Sequence, residues 1–295
     1  MKKAAFVLPF LCSFAGIPLH AKPAERLVLD PITPWHVNWR EESCALERAF
    51  GRERDQSAVR LEWFWPGEVF QALIVSNSLD GIRDEIPIKL IFIPGENERV
   101  LKYSKLGQLS DGRSTLLVPS VSLRILPEDF SPGDPLPAVA VEFEKKALQI
   151  EVESKARSLV FNTGALDKPF TAIRDCLRGL VKTWGLDPDV QESLKSPVEP
   201  ENFPGSWVTP RDFPKEALAN RASATVAFRV LVDETGAPTD CATQRAFSAY
   251  DFEEIACRLV MERARFVPAK NASGQPVASY YTNRVRWTPP PGRGR

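Results

Sequence analysis

Five cysteines and two histidines are the residues of this 295-residue chain best suited to chemistry. Cys12 and His20 lie in or beside an N-terminal apolar run, which leaves Cys44, Cys176, Cys241, Cys257 and His36 for the folded part. A thiol or hydroxyl nucleophile needs an adjacent base, so any Ser–His or Cys–His triad would have to run through His36. That residue sits in Trp35-His36-Val37-Asn38-Trp39, a pattern that predicts a strand with aromatics on one side. A structural histidine is the better reading there. The cysteines match no zinc signature: there is no Cys-x-x-Cys and no histidine nearby. An even cysteine count in an exported chain favours disulfides. Four cysteines allow three pairings, and sequence proximity and domain layout favour Cys44–Cys176 and Cys241–Cys257. Free buried cysteines are the alternative.

Other catalytic constellations are weak. No P-loop, G-x-S-x-G, H-E-x-x-H or G-x-G-x-x-G occurs, and neither a cofactor nor a metal is expected. Acidic residues such as Asp80, Asp84 and Glu85, or Asp111 and Asp129, could pair in a cleft as acid and base. Nothing in their spacing fixes such a geometry, and charged loops are normally just solvated. An exported enzyme with chemistry in its first domain is therefore the minor alternative to a protein that is not an enzyme.

The composition is that of a globular protein, 43% hydrophobic and 26% charged, in a chain long enough for two ordinary domains. Basic and acidic residues balance at 38 each, so no nucleic-acid partner is implied. Lys2 and Lys3 precede an apolar stretch, Ala4 to Leu19, and the chain turns polar after Ala21. This reads as a signal peptide over residues 1–21, cleaved on export to the periplasm. An uncleaved inner-membrane anchor is the rival reading. The run falls short of the ~20 residues needed to span a bilayer, and Pro18 weakens it further as a helix.

Elements must position whatever these residues do. Residues 22 to about 34 carry Pro23, Pro31 and Pro34 and read as a leader arm. The spacing predicts strands at Trp35–Trp39, Glu42–Gly51 (helix is possible there), Val59–Trp65, Phe70–Val75, Ile86–Ile93, Thr115–Val118, Val121–Leu126, Val139–Phe143 and Leu148–Val152. Such a run suits a sandwich or meander. Phe170–Gly185 has helical period, with Ile173, Cys176 or Leu177, Leu180, Val181 and Trp184 on one stripe and Gly185 as a stop. A β-rich domain is thus expected over 22–185, ending in an amphipathic helix that Cys176 could tie to Cys44. Residues 186–208 are polar and Pro-rich without periodicity and read as a semi-extended linker.

The last domain, 209–295, is the most regular. Val226, Phe228, Val230 and Val232 alternate with Ala227, Arg229 and Leu231, as in an antiparallel sheet covered on one side. Asp233-Glu-Thr-Gly236 predicts a bulged hairpin into a second strand, Pro238–Gln244. Asp251 and Glu254 suggest a capping box for a helix with Phe252, Ile255, Ala256, Leu259 and Val260 inward. Cys257 lies on its flank. A last strand spans Val277–Trp287.

The order of these pieces resembles the C-terminal domain of TonB-family energy transducers over about Phe213 to Trp287. The resemblance rests on Phe213-Pro214 before a short helix, then Val226, Phe228, Val230 and Gly236, then Arg265-Phe266-Val267-Pro268-Ala269, and Gly274-Gln275-Pro276-Val277 before the last strand. Ala224 stands where the family usually has Gly. The resemblance implies an α+β fold with helices packed on a three-stranded antiparallel sheet. It also implies a periplasmic interaction protein whose last strand takes up an extended peptide of an outer-membrane or other envelope protein by strand addition. The residues implied for partner binding are Tyr280, Tyr281, Thr282, Asn283, Arg284, Val285 and Arg286, with Tyr281, Asn283 and Val285 on one face and the others opposite. A self-associating envelope scaffold, a homodimer through the same strand, is the alternative. A signal peptide in place of an anchor sets this chain apart from force-transducing members.

Overall fold

The structure, a computed structural model, describes residues 25–80, 89–93, 99–100, 105–123, 141–154, 157–244 and 250–290. The expected signal peptide and acidic residues Asp84, Glu85 and Asp129 lie outside them. The fold is mixed α+β with several sheets and few helices.

The N-terminal part contains β1 (Glu25–Leu29), β2 (His36–Trp39), β3 (Cys44–Phe50), β4 (Ser57–Trp63), β5 (Phe70–Ser76), β6 (Lys89–Ile93), β7 (Arg99–Val100), β8 (Lys105–Gln108) and β9 (Ser114–Val121). Helix α1 (Val141–Lys146), strands β10 (Gln149–Glu153) and β11 (Arg157–Asn162) and helix α2 (Asp167–Thr183) follow. One sheet has the order β2-β3-β4-β5-β9-β8 and the other β1-β11-β10-β6-β7. Both contribute to a single core with α2: Leu46, Leu61 and Ile74 from the first, Phe92, Ile150 and Phe161 from the second, Ile173 and Leu177 from the helix. Phe50 meets Phe161 edge-on at 5.3 Å, and Trp63 meets Phe170 of α2 at 5.2 Å. Cys44, where β3 begins, is bonded to Cys176 of α2, with Cα atoms 6.1 Å apart.

Several elements differ from the sequence reading. The supposed leader arm contains β1, which runs parallel to β11. Its partner lies more than a hundred residues away, and a short run with one buried residue, Leu29, gives no local signal. The segment around Val141 is helical, not extended. Glu142 and Lys145 form an i,i+3 pair, and Glu144, with its side chain only 3% exposed, is bonded by Arg174. The strand expected at Thr115–Val118 extends as β9 from Ser114 to Val121, and of the one expected at Val121–Leu126 the last three residues lie outside the described residues while Ser122 and Leu123 are not strand. Pro119 fits inside β9 because the β5–β9 register shifts between Phe70 and Ala72, so no ladder donor is needed there.

The C-terminal part follows without a free tether. It comprises α3 (Pro188–Glu192), β12 (Glu199–Pro200), α4 (Lys215–Ala219), β13 (Ala224–Val232), β14 (Pro238–Thr243), α5 (Phe252–Arg263), β15 (Phe266–Val267), β16 (Ala269–Lys270), β17 (Pro276–Val277) and β18 (Ser279–Trp287). Residues 186–208, expected as a linker, are built into this part. Strand β12 pairs with β15, Lys195 N–H donates to Lys270 O at 2.8 Å, and Val198 and Trp207 are buried in its core. The segment lacks periodicity because each buried residue is anchored singly by a distant partner.

An antiparallel sheet of order β14-β13-β18 carries α5 on one face. Phe228, Val230 and Val260 fill one cluster there, and Val226, Phe252, Ala256 and Trp287 an adjoining one. Cys241 of β14 is bonded to Cys257 of α5, Cα to Cα 5.6 Å. In the β13–β14 turn, Asp233 Oδ1 accepts from the N–H groups of Thr235 and Ala237, and Gly236 has φ +88°. A Cβ at Gly236 would lie 2.1 Å from Phe266 O, so the turn needs glycine twice over.

The capping box expected at Asp251 does not form. Asp251 has φ −75° and ψ 39°, outside the extended conformation an N-cap needs, and its side chain caps nothing. A capping box does form at Thr209, whose N–H and hydroxyl both donate to Asp212 Oδ2 at 2.8 Å. Arg263 of α5 grips the same carboxylate at 2.8 and 2.9 Å. That guanidinium, followed by the Thr209 bonds, holds the Asp212 carboxyl well below the usual carboxylate range. A depressed carboxyl stabilises the fold fully above its unfolded value of about 3.9 and loses that contribution as pH falls below it. The urea midpoint should therefore drop on acidification below about pH 4 more steeply in the wild type than in Asp212→Asn. At neutral pH that variant should lose about 1 kcal/mol, since Arg263 is part exposed and screened.

Candidate functional site: an edge strand and an adjoining groove

Strand β18 pairs residue by residue with β13, from Ala224 opposite Trp287 to Val232 opposite Ser279. Among the described residues it has no strand on its other side. Arg284 N–H is turned away from β13 and donates to the Asn283 side-chain oxygen at 2.8 Å. Strand alternation then turns the N–H groups of Tyr280 and Thr282 toward the same outer edge. The Asn283 amide also donates to the Tyr281 hydroxyl at 2.6 Å, so this one side chain spans two of the strand's polar groups.

The seven residues expected to bind a partner sort into different environments. Tyr281 packs on Trp207 and Phe266, with ring centroids 5.8 and 5.2 Å away, and Val285 adjoins both C-terminal clusters. Those side chains belong to the core. Asn283 and Arg284 are half-buried, and Arg286 is exposed. Thr282 is buried, and Tyr280 stands edge-on to Trp184 at 5.4 Å. Burial pushes the Tyr280 phenol up to about 12, with the nearby Arg229 guanidinium pulling the other way.

The opposite face of the sheet was expected to be only mixed, with one face covered. The second face is covered as well around Arg229 and Thr282, where the N-terminal part packs on it, while Asp240 and Arg286 stay exposed. Arg229 of β13 is only 2% exposed. Its guanidinium lies 4.0 Å from the Trp184 ring centroid and pairs with Glu42 at 3.0 Å and Asp240 at 3.3 Å. Gln244 donates to Pro119 O at 3.3 Å. Trp184, Glu42 and Arg229 were not singled out as functional from the sequence. The one available hint was an arginine set between Ala227 and Leu231 on the second row of a strongly alternating strand.

Beside Tyr280 the two parts enclose a groove of about 360 Å³. Its walls come from the β4–β5 turn, α2 and α3, and its apolar lining includes Trp63, Phe170, Ile173, Leu177 and Val181. The charged groups that the helices bring to its rim are already paired. Glu144 holds Arg174, and Arg178 is bonded to Glu192 and to Asp189, at 2.5 Å for the latter. These carboxylates raise the Arg178 pKa. Ser279 donates to Gln191 Oε1 at 2.5 Å, and the Gln191 amide donates to Ala278 O at 3.0 Å, tying α3 to the start of β18.

The edge strand, its hairpin neighbours and α5 define a small α+β module. Residues 209–289 match the family described as Gram-negative bacterial TonB protein C-terminal. Comparison with curated proteins finds no match. The matched stretch contains the sheet, α5 and Tyr280, while every other wall of the groove lies upstream of it. A TonB C-terminal module thus stands in a chain whose remainder builds the surface against it. No helix among the described residues is long and apolar enough to cross a membrane.

Proposed function

We propose that this chain is a non-enzymatic protein of the bacterial periplasm that binds an extended segment of an outer-membrane or other envelope protein by strand addition to β18. The observation that carries this reading is the single-sided pairing of β18, with backbone donors turned to the outer edge. The match of residues 209–289 to the TonB C-terminal family supports it. Core placement of Tyr281 and Val285 gives affinity to the main chain more than to those side chains. Catalysis by Asp80 and Asp111 is not favoured: Asp80 accepts from Ser114 at 2.5 Å and Asp111 from Arg113 at 2.7 Å, each bonded to a neighbour on the surface.

Thr282→Pro is the decisive variant. It removes one outward donor while leaving the β13 ladder its own bonds. Saturable binding of peptides selected from a displayed random library should fall at least about tenfold in the variant, with far-UV circular dichroism unchanged. Equal binding by the two proteins would remove strand addition as the mechanism. If light scattering instead finds a dimer that Thr282→Pro dissolves, the same edge serves self-association.

A further inference from the structure

We infer that the groove beside Tyr280 is a side-chain pocket for the bound segment, so that the N-terminal part selects the partner by one bulky apolar residue, aromatic or leucine. This rests on the strand-addition reading and extends it. Tyr280 belongs to both features: its backbone forms the outer edge of β18 and its ring lines the groove. A chain added to β18 beside Tyr280 would put alternate side chains on the face of the sheet where the Tyr280 ring lines the groove. Strand addition in general takes affinity from main-chain bonds and specificity from pockets for alternate side chains.

The chemistry of the pocket chooses the occupant. Ligand pockets for whole small molecules run to roughly 300–1,000 Å³, and this one, about 360 Å³, is at the small end, with room for any single side chain. Its lining is apolar, from Trp63, Phe170, Ile173, Leu177 and Val181. A charged side chain placed against α1, α2 or α3 would have to break an existing pair to gain one, because Glu144 is held by Arg174 and Arg178 by Asp189 and Glu192. An apolar side chain breaks nothing and removes the exposed walls from water. The α3 contacts through Gln191 keep the pocket and the edge in fixed register, so the anchor residue stands at a set distance from the paired stretch.

The test uses the full chain and a phage-displayed library of random peptides. Enriched peptides should share one bulky apolar residue at a fixed distance from the stretch that pairs with β18. Serine at that position should weaken binding about tenfold. A photoreactive benzoylphenylalanine placed there should crosslink the wild-type protein at Trp63–Glu68 or within α2, a readout that needs no variant to fold. Peptides that require Thr282 but lack a fixed apolar position, or crosslink only outside the groove, overturn the pocket and leave strand addition standing. Peptides indifferent to Thr282→Pro, or no enrichment at all, remove both.

Discussion

Replacing Cys44 and Cys176 together by alanine should lower the unfolding free energy by about 5 kcal/mol, read from guanidinium midpoints. The bond closes a loop of 132 residues in sequence separation, and most of its effect lies in the denatured chain, which it keeps from spreading. In the folded state both cysteines are buried in the shared core, one where β3 begins and one in α2. Helix α2 also docks through Ile173, Leu177 and Leu180, so the double variant keeps its packing and isolates the cross-link. The matching change at Cys241 and Cys257, separated by 16 residues, should cost only about 3 kcal/mol. A loss below about 2 kcal/mol for the long bridge would mean that the denatured chain already holds β3 near α2. Because α2 ends on Trp184 as its C-cap and forms one wall of the groove, loosening it should also weaken the seat of the C-terminal sheet.

Trp207→Ala should cost about 3–5 kcal/mol. The ring is 2% exposed and stands edge-on to Phe266 at 5.4 Å and Tyr281 at 5.8 Å. Its indole N–H donates to Asn202 Oδ1 at 2.7 Å, and the same oxygen accepts from Arg265 N–H at 3.0 Å. Removing the ring opens a cavity under β18 and leaves Asn202 with one donor. Trp207→Phe keeps part of the packing and should cost about 1–2 kcal/mol for the lost bond and the smaller ring. Surface substitutions in a true tether stay within about 0.5 kcal/mol. A near-neutral Trp207→Ala would therefore restore residues 186–208 as a linker.

Much of the C-terminal part was legible from its residues. Val226, Phe228, Val230 and Val232 alternate because one row faces α5, and Gly236 marks a turn that no side chain could enter. Helix α5 carries its apolar stripe for the same reason, and both disulfides follow the pairing that proximity and layout favour. Periodicity records which side of an element faces a core, and turn residues record backbone conformation; both are local. The capping box misled because Asp251 has the residue type but not the backbone angles, while Thr209–Asp212 gained its box with help from Arg263, far along the chain.

By itself, then, the order of residues determined the α+β module at the end of the chain, its bridges and its last strand, since each rests on local period, turn chemistry or a small choice among cysteines. Tertiary structure alone decided that β1 pairs with β11, that 186–208 is packed and that the second face of the sheet is covered around Arg229. It also decided that Tyr280 joins an open edge to an apolar groove. Such contacts bring together residues as distant as Glu42 and Arg229, and a buried arginine on a tryptophan has no periodic signature in either of the segments that make it.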